Sequence, residues 1–123
     1  MRTRADRSGP PSIAVLSMLF ALGDETLHGY GIMKRVEERT AGRVSLLPSS
    51  LYATIKRMLM EGWIEEVRDQ ASDAAPGRPR RLYCMTDRGR ELAALEAERM
   101  AALLDMARAN PAPRDSAVAD LGS

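Results

Sequence analysis

The sequence predicts a mainly α fold with a two-stranded β-wing, a winged helix-turn-helix followed by a long C-terminal helix. Three observations carry that expectation. Residues 48–61 form a helical pattern with one apolar face, a basic hairpin pattern follows directly, and two further helical segments precede it.

Ser12 is placed to cap the first helix, which runs from Ile13 to Leu22, is apolar almost all round, and must therefore be buried on several sides. Gly23 and Asp24 end it. The second helix begins near Leu27-His28-Gly29-Tyr30. It carries Ile32, Met33 and Val36 inward and Lys34, Arg35, Glu37, Glu38 and Arg39 outward, and Gly42 is expected to stop it as a C-terminal cap.

Pro48 suits the first position of the third helix, where its missing N–H would be unpaired anyway. Leu51, Ile55, Met58 and Leu59 then recur at the spacing that gathers side chains on one face, with Ser49, Ala53, Lys56, Arg57 and Met60 opposite and Tyr52 at the boundary. Gly62 closes this helix in the left-handed position. Trp63–Arg68 and Arg81–Thr86 read as paired strands, and the polar loop from Asp69 to Arg80 is too long for a two-residue turn. Gly77-Arg78-Pro79-Arg80-Arg81 at its far end sets three arginines where they can reach phosphate oxygens. A loop that serves only solubility is the alternative.

Thr86 is expected to cap a helix from Asp87 to about Ala109. Leu92, Leu95, Met100, Leu103, Leu104 and Met106 give it more apolar surface than a small winged-helix body covers. The inference is a second copy, with Leu92, Leu95, Leu103 and Met106 at a homodimer interface. Glu96 and Arg99 interrupt the stripe, so a strict coiled-coil seam is not supported, and folding back on its own domain stays open. The expected organisation is an N-terminal arm over 1–11, a winged-helix domain over 12–86, a dimerisation helix over 87–109 and a disordered tail over 110–123.

Composition narrows the function classes. The 123 residues suit one domain, and the net charge of +1 hides a local asymmetry. From Pro76 to Arg90, Arg78, Arg80, Arg81, Arg88 and Arg90 face Asp87 alone, whereas acids outnumber arginines from Glu91 onward. A local basic stripe is what a phosphate-facing surface requires. A single Cys excludes an intrachain disulfide and suits a cytoplasmic compartment. One His and one Cys do not make a usual four-ligand zinc site, so neither metal nor cofactor is expected. No apolar run reaches the roughly 18 to 20 residues that span a bilayer, and Ile13–Leu22 reads as core and not as a signal peptide. No phosphate loop, nucleophile elbow or His-centred triad points to catalysis. Cys84 and the methionines read as core, and Trp63 as packing under the wing.

Several motifs in order resemble a known family. Leu27-His28-Gly29-Tyr30-Gly31-Ile32, Pro48-Ser49-Ser50-Leu51-Tyr52, Lys56-Arg57-Met58, Glu61-Gly62-Trp63-Ile64-Glu65 and Arg81-Leu82-Tyr83-Cys84-Met85-Thr86-Asp87-Arg88-Gly89 together resemble the PadR family of bacterial transcriptional regulators, over residues 12–109. Where many relatives have Ser before the Pro of the third helix, this chain has Leu47, which removes the obvious N-cap. The resemblance implies a homodimeric winged-helix repressor of the compact subgroup, with double-stranded DNA as partner. It implies that Ser49, Ser50 and Tyr52 contact phosphate, that Lys56 and Arg57 reach phosphate or guanine edges, and that Arg78 and Arg80 follow the adjacent backbone or minor groove. His28 and Tyr30 are open between packing and phosphate contact. A small-molecule effector, where one exists, would bind between subunits. The rival reading is a winged helix that binds proteins and no DNA.

Overall fold

A computed structural model describes residues 11–68 and 81–110 of the chain. Its elements in order are α1 (Ile13–Leu22), β1 (Leu27–His28), α2 (Gly29–Arg39), α3 (Pro48–Glu61), β2 (Ile64–Arg68), β3 (Arg81–Met85) and α4 (Asp87–Ala109). The winged helix expected from the sequence is observed, with one addition. The sheet has three strands in the order β1-β3-β2, because Leu27 and His28 leave the start of the second helix and pair antiparallel with Tyr83 and Leu82.

Helix α1 starts where Ser12 accepts the Val15 N–H on its hydroxyl at 3.2 Å. Val15, Met18, Leu19 and Leu22 are fully buried, in keeping with a helix expected to be buried on several sides, while Ile13 and Phe20 stay exposed. From α2, Ile32 and Val36 enter the same core and Met33 packs partly against it. Arg35 does not point to solvent as its helical position suggests. It is half-buried, donates to the Ala21 carbonyl at 3.3 Å and pairs with Glu25, tying α2 to the end of α1.

The end of α2 also corrects the sequence reading. Ala41 donates to the Glu38 carbonyl at 3.3 Å and Gly42 to the Glu37 carbonyl at 2.8 Å, the paired bonds of a Schellman cap. The first left-handed residue of that cap is Ala41, at φ 52, one position before the glycine expected to fill it.

Helix α3 begins at Pro48 without a side-chain cap, as Leu47 implies, and the Leu51 N–H bonds the Leu47 carbonyl at 2.7 Å. Leu51, Ile55 and Met58 are buried and Leu59 packs partly against them, which is the apolar face read from the spacing. Gly62, at φ 77, ends the helix, with its own N–H on Leu59 and the Trp63 N–H on Met58. Strand β2 then pairs antiparallel with β3 from Ile64 opposite Met85 to Arg68 opposite Arg81.

Two residues, Thr86 and Gly89, lock the end of this sheet. The Thr86 hydroxyl donates to the Gly62 carbonyl at 2.6 Å and accepts the Gly89 N–H at 3.0 Å, so the cap of α4 also holds the end of α3. A Cβ on Gly89 would stand 2.0 Å from the Trp63 carbonyl oxygen, a separation that only glycine permits. Tyr83, in the central strand, is buried.

The chain divides into two compact units after Ala93. In the first, Leu92 and Ala93 pack against the core. Leu92, expected at a dimer interface, is thus engaged by its own domain. In the second, Leu95, Met100, Leu103, Leu104 and Met106 are all exposed, and Arg99 pairs with Glu96 at 3.1 Å. No helix among the described residues is long and apolar enough to cross a membrane.

Candidate nucleic-acid interface

Burial of Leu51, Ile55 and Met58 turns the opposite side of α3 outward, because successive residues on a helix are about 100° apart. Ser49, Ser50, Ala53, Lys56 and Met60 are exposed there, and Tyr52, placed at the boundary by its spacing, is 57% exposed. The N-terminal part of this face is small and hydroxyl-bearing, and the positive end of the helix dipole lies behind it. Lys56 adds a cation one turn further on. Such a face can donate hydrogen bonds to an anionic backbone.

Tyr52 is held from beneath. Gly29 of α2 is buried, and a Cβ there would meet the Tyr52 ring at 3.4 Å and Ile55 at 3.3 Å. The glycine of His28-Gly29-Tyr30 therefore lets α2 and α3 approach closely. Of its neighbours, Tyr30 is exposed and carries the Lys34 ammonium 5.7 Å from its ring centroid, and His28 is half-buried in the short strand β1.

Arg57 is placed differently from its expectation. It is half-buried, with its guanidinium carbon 5.5 Å from the Trp63 ring centroid and Nη2 buried without a hydrogen-bond partner. Position on the helix sets only a direction, and a long side chain at the flank is free to fold back along it. Trp63 is 4% exposed and packs in the core, the role its position suggested.

Arg78 and Arg80 lie outside the described residues, as do the loop over 69–80, the arm over 1–10 and the tail beyond 110. The described part of the wing supplies Arg81, one of the three arginines read from the sequence, and Arg68, which sequence reading missed as a site residue. Arg68 and Arg81 face each other across β2 and β3, both exposed, and Arg81 also reaches Glu66 at 3.6 Å. Strand register was the missing signal, because like charges directly opposite are unfavourable unless something anionic lies between or near them.

Two groups near the wing have displaced acidities. Burial pushes the Tyr83 hydroxyl above its ordinary value of 10.0, helped by Glu66 and Tyr52 and opposed by Arg81. Burial also raises the Cys84 thiol, which donates to a Glu65 carboxylate oxygen at 3.6 Å, and that carboxylate raises it further. Cys84 is a half-buried free thiol, and both its burial and Glu65 disfavour the thiolate. Among the described residues no group of three or more His, Cys, Asp or Glu side chains is placed to hold a metal ion.

Known proteins resemble the chain in both sequence and fold. A 37.1 kDa protein of transposon TN4556 from Streptomyces fradiae is 34% identical over 90 residues, which cover 73% of this chain and 24% of that protein. The chain therefore spans about a quarter of the length of that curated relative. A PadR family transcription regulator from Clostridium difficile superposes with a TM-score of 0.68 at 20% identity, covering 79% of this chain and 96% of that one. Bacillus subtilis PadR, solved in complex with operator DNA, gives a TM-score of 0.59 at 22% identity over 68% of this chain and 45% of that one. These likenesses in structure show the same fold. The model of the transcriptional regulator PadR-like family matches residues 18–95, from the first helix through the start of the last, and the chain belongs to that family.

Proposed function

We propose that the chain is a homodimeric, sequence-specific DNA-binding repressor that lays α3 in the major groove and steadies it with the wing. The observation that carries this reading is the face of α3 opposite the core. Ser49, Ser50, Tyr52 and Lys56 are all exposed on one side of a helix whose other side is fixed by Leu51, Ile55 and Met58. In this reading the hydroxyls of Ser49, Ser50 and Tyr52 contact phosphate near the helix N-terminus, and Lys56 reaches phosphate or a guanine edge. Arg78 and Arg80, with Arg68 and Arg81 at the described end of the wing, follow the neighbouring backbone. Leu95, Leu103 and Met106 of α4 meet their counterparts in a second copy and so set two α3 helices about one helical turn, roughly 34 to 36 Å, apart.

The test is selection from a random-sequence duplex library at about 0.15 M salt, with Lys56→Ala alongside. An inverted repeat should be enriched. Lys56→Ala should weaken binding and, if Lys56 meets phosphate, lower the salt slope by about one. No enrichment at any salt, from protein that remains folded, defeats the regulator reading and leaves the protein-binding module.

A further inference from the structure

Arg57 behaves unlike the lysine before it. Lys56 stands in solvent, while the Arg57 guanidinium lies over the Trp63 ring with its carbon 5.5 Å from the centroid and Nη2 buried without a hydrogen-bond partner. An ammonium would keep its hydration shell, but a planar, weakly hydrated guanidinium can give up a hydrogen bond for an aromatic face.

The residue beneath it is anchored by its backbone on three sides. Trp63 donates its N–H to the Met58 carbonyl at 3.0 Å and accepts the Thr86 N–H on its own carbonyl at 3.1 Å. That carbonyl also fills the space a Cβ on Gly89 would need. At Trp63, therefore, α3 has ended, β2 begins and α4 starts against the same backbone. A side chain that stacks on this ring from the penultimate turn of α3 ties the direction of that helix to both the wing and α4.

We propose that Arg57 is a positioning residue for DNA binding that acts through Trp63 and reads no base. This rests on the DNA-binding reading above. Its consequence is that loss of Arg57 tilts the whole α3 face, so every sequence suffers alike, whereas loss of a reader affects one base pair.

Trp63 is the only tryptophan of the chain, so its fluorescence reports the stack directly. The experiment compares wild type, Arg57→Ala, Arg57→Met, Trp63→Phe and the double variant Arg57→Ala with Trp63→Phe. The probes are the duplex selected by the wild type and a set of its single-base substitutions. Arg57→Ala should move the Trp63 emission to longer wavelength and weaken all duplexes by one common factor, on the order of tenfold, with the wild-type salt slope retained. Arg57→Met keeps an unbranched stem over the ring without the charge, and should recover most of the emission and most of the affinity. Loss of preference at a single base pair, a salt slope lower by about one, or a Met variant as weak as the Ala variant would overturn the proposal. Should Arg57→Ala fail to fold, the Met variant decides by the same readouts. A wild-type chain that binds no duplex defeats the regulator reading. The stack is then judged by urea unfolding, where non-additive losses from Arg57→Ala and Trp63→Phe support it and additive losses overturn it.

Discussion

The chain up to Ala93 and the chain after it solve the same problem in opposite ways. Every buried apolar residue among the described ones lies at or before Met85, and Leu92 and Ala93 still pack onto that core. Beyond them Leu95, Met100, Leu103, Leu104 and Met106 are exposed, at 61% for Leu103 and 65% for Met106. The first unit thus satisfies its own hydrophobic demand, while the second carries an apolar surface that the single chain leaves in water. Several large apolar side chains exposed on one helix mark an interaction site more often than an accident. If the exposed face of α4 is where copies meet, folding and assembly should be separable, and variants in the two regions should affect different measurements.

The largest effect on folding is expected at Gly89, where a methyl group would stand 2.0 Å from the Trp63 carbonyl oxygen. Gly89→Ala should lower the unfolding free energy by about 3 kcal/mol, read as a lower urea midpoint. A near-neutral result would mean that α4 does not need this close approach. In the second region, Leu103→Asp combined with Met106→Asp should convert a dimer to a monomer in sedimentation while the near-ultraviolet signal of Trp63 stays as in the wild type. Each buried side chain of this size contributes about 1.5–3 kcal/mol, so two charged replacements exceed what a small interface tolerates. Loss of the Trp63 signal would show that the regions are not separable.

Smaller effects sharpen the picture of the body. Thr86→Val removes the bonds to Gly62 and Gly89 and should cost about 1–2 kcal/mol by urea unfolding. Ala41→Gly relieves a left-handed alanine, whose strain of about 1–2 kcal/mol outweighs the entropy that glycine loses, about 0.5–1 kcal/mol. The net gain should be about 0.5 kcal/mol. Alkaline titration should show the weakest signal. Folding raises the Tyr83 and Cys84 pKa values above the ordinary 10.0 and 9.0, so their contribution is complete below those values and is lost as pH rises through the folded ones. The melting temperature should therefore fall on the alkaline side, and Cys84→Ser should remove the earlier part of that fall.

Most of the architecture was legible because it is periodic. The apolar spacing of Leu51, Ile55 and Met58, the Pro48 start, the Gly62 stop and the Thr86 cap are local signals, and each element appears where they put it. Strand β1 was not legible, since two residues cannot alternate and their pairing with Tyr83 and Leu82 is decided by tertiary packing. The cap at Ala41 was hidden for a similar reason, as a glycine one residue later is the stronger local cue. In the candidate interface, the exposure of Ser49, Ser50 and Lys56 follows from helical geometry, whereas the turn of Arg57 onto Trp63 depends on side-chain torsions that spacing does not encode. The opposition of Arg68 and Arg81 needed the strand register, which the twelve intervening residues, 69–80, conceal in the sequence.

One measurement joins both regions: binding of the wild type and of the Leu103→Asp, Met106→Asp variant to the selected inverted repeat and to its isolated half-site. The two proteins should bind the half-site alike, and only the wild type should gain affinity on the full repeat, steeply with protein concentration and with two copies per duplex. A variant that matches the wild type on the full repeat, or that loses the half-site as well, would contradict a self-sufficient DNA-binding body joined by an assembling helix.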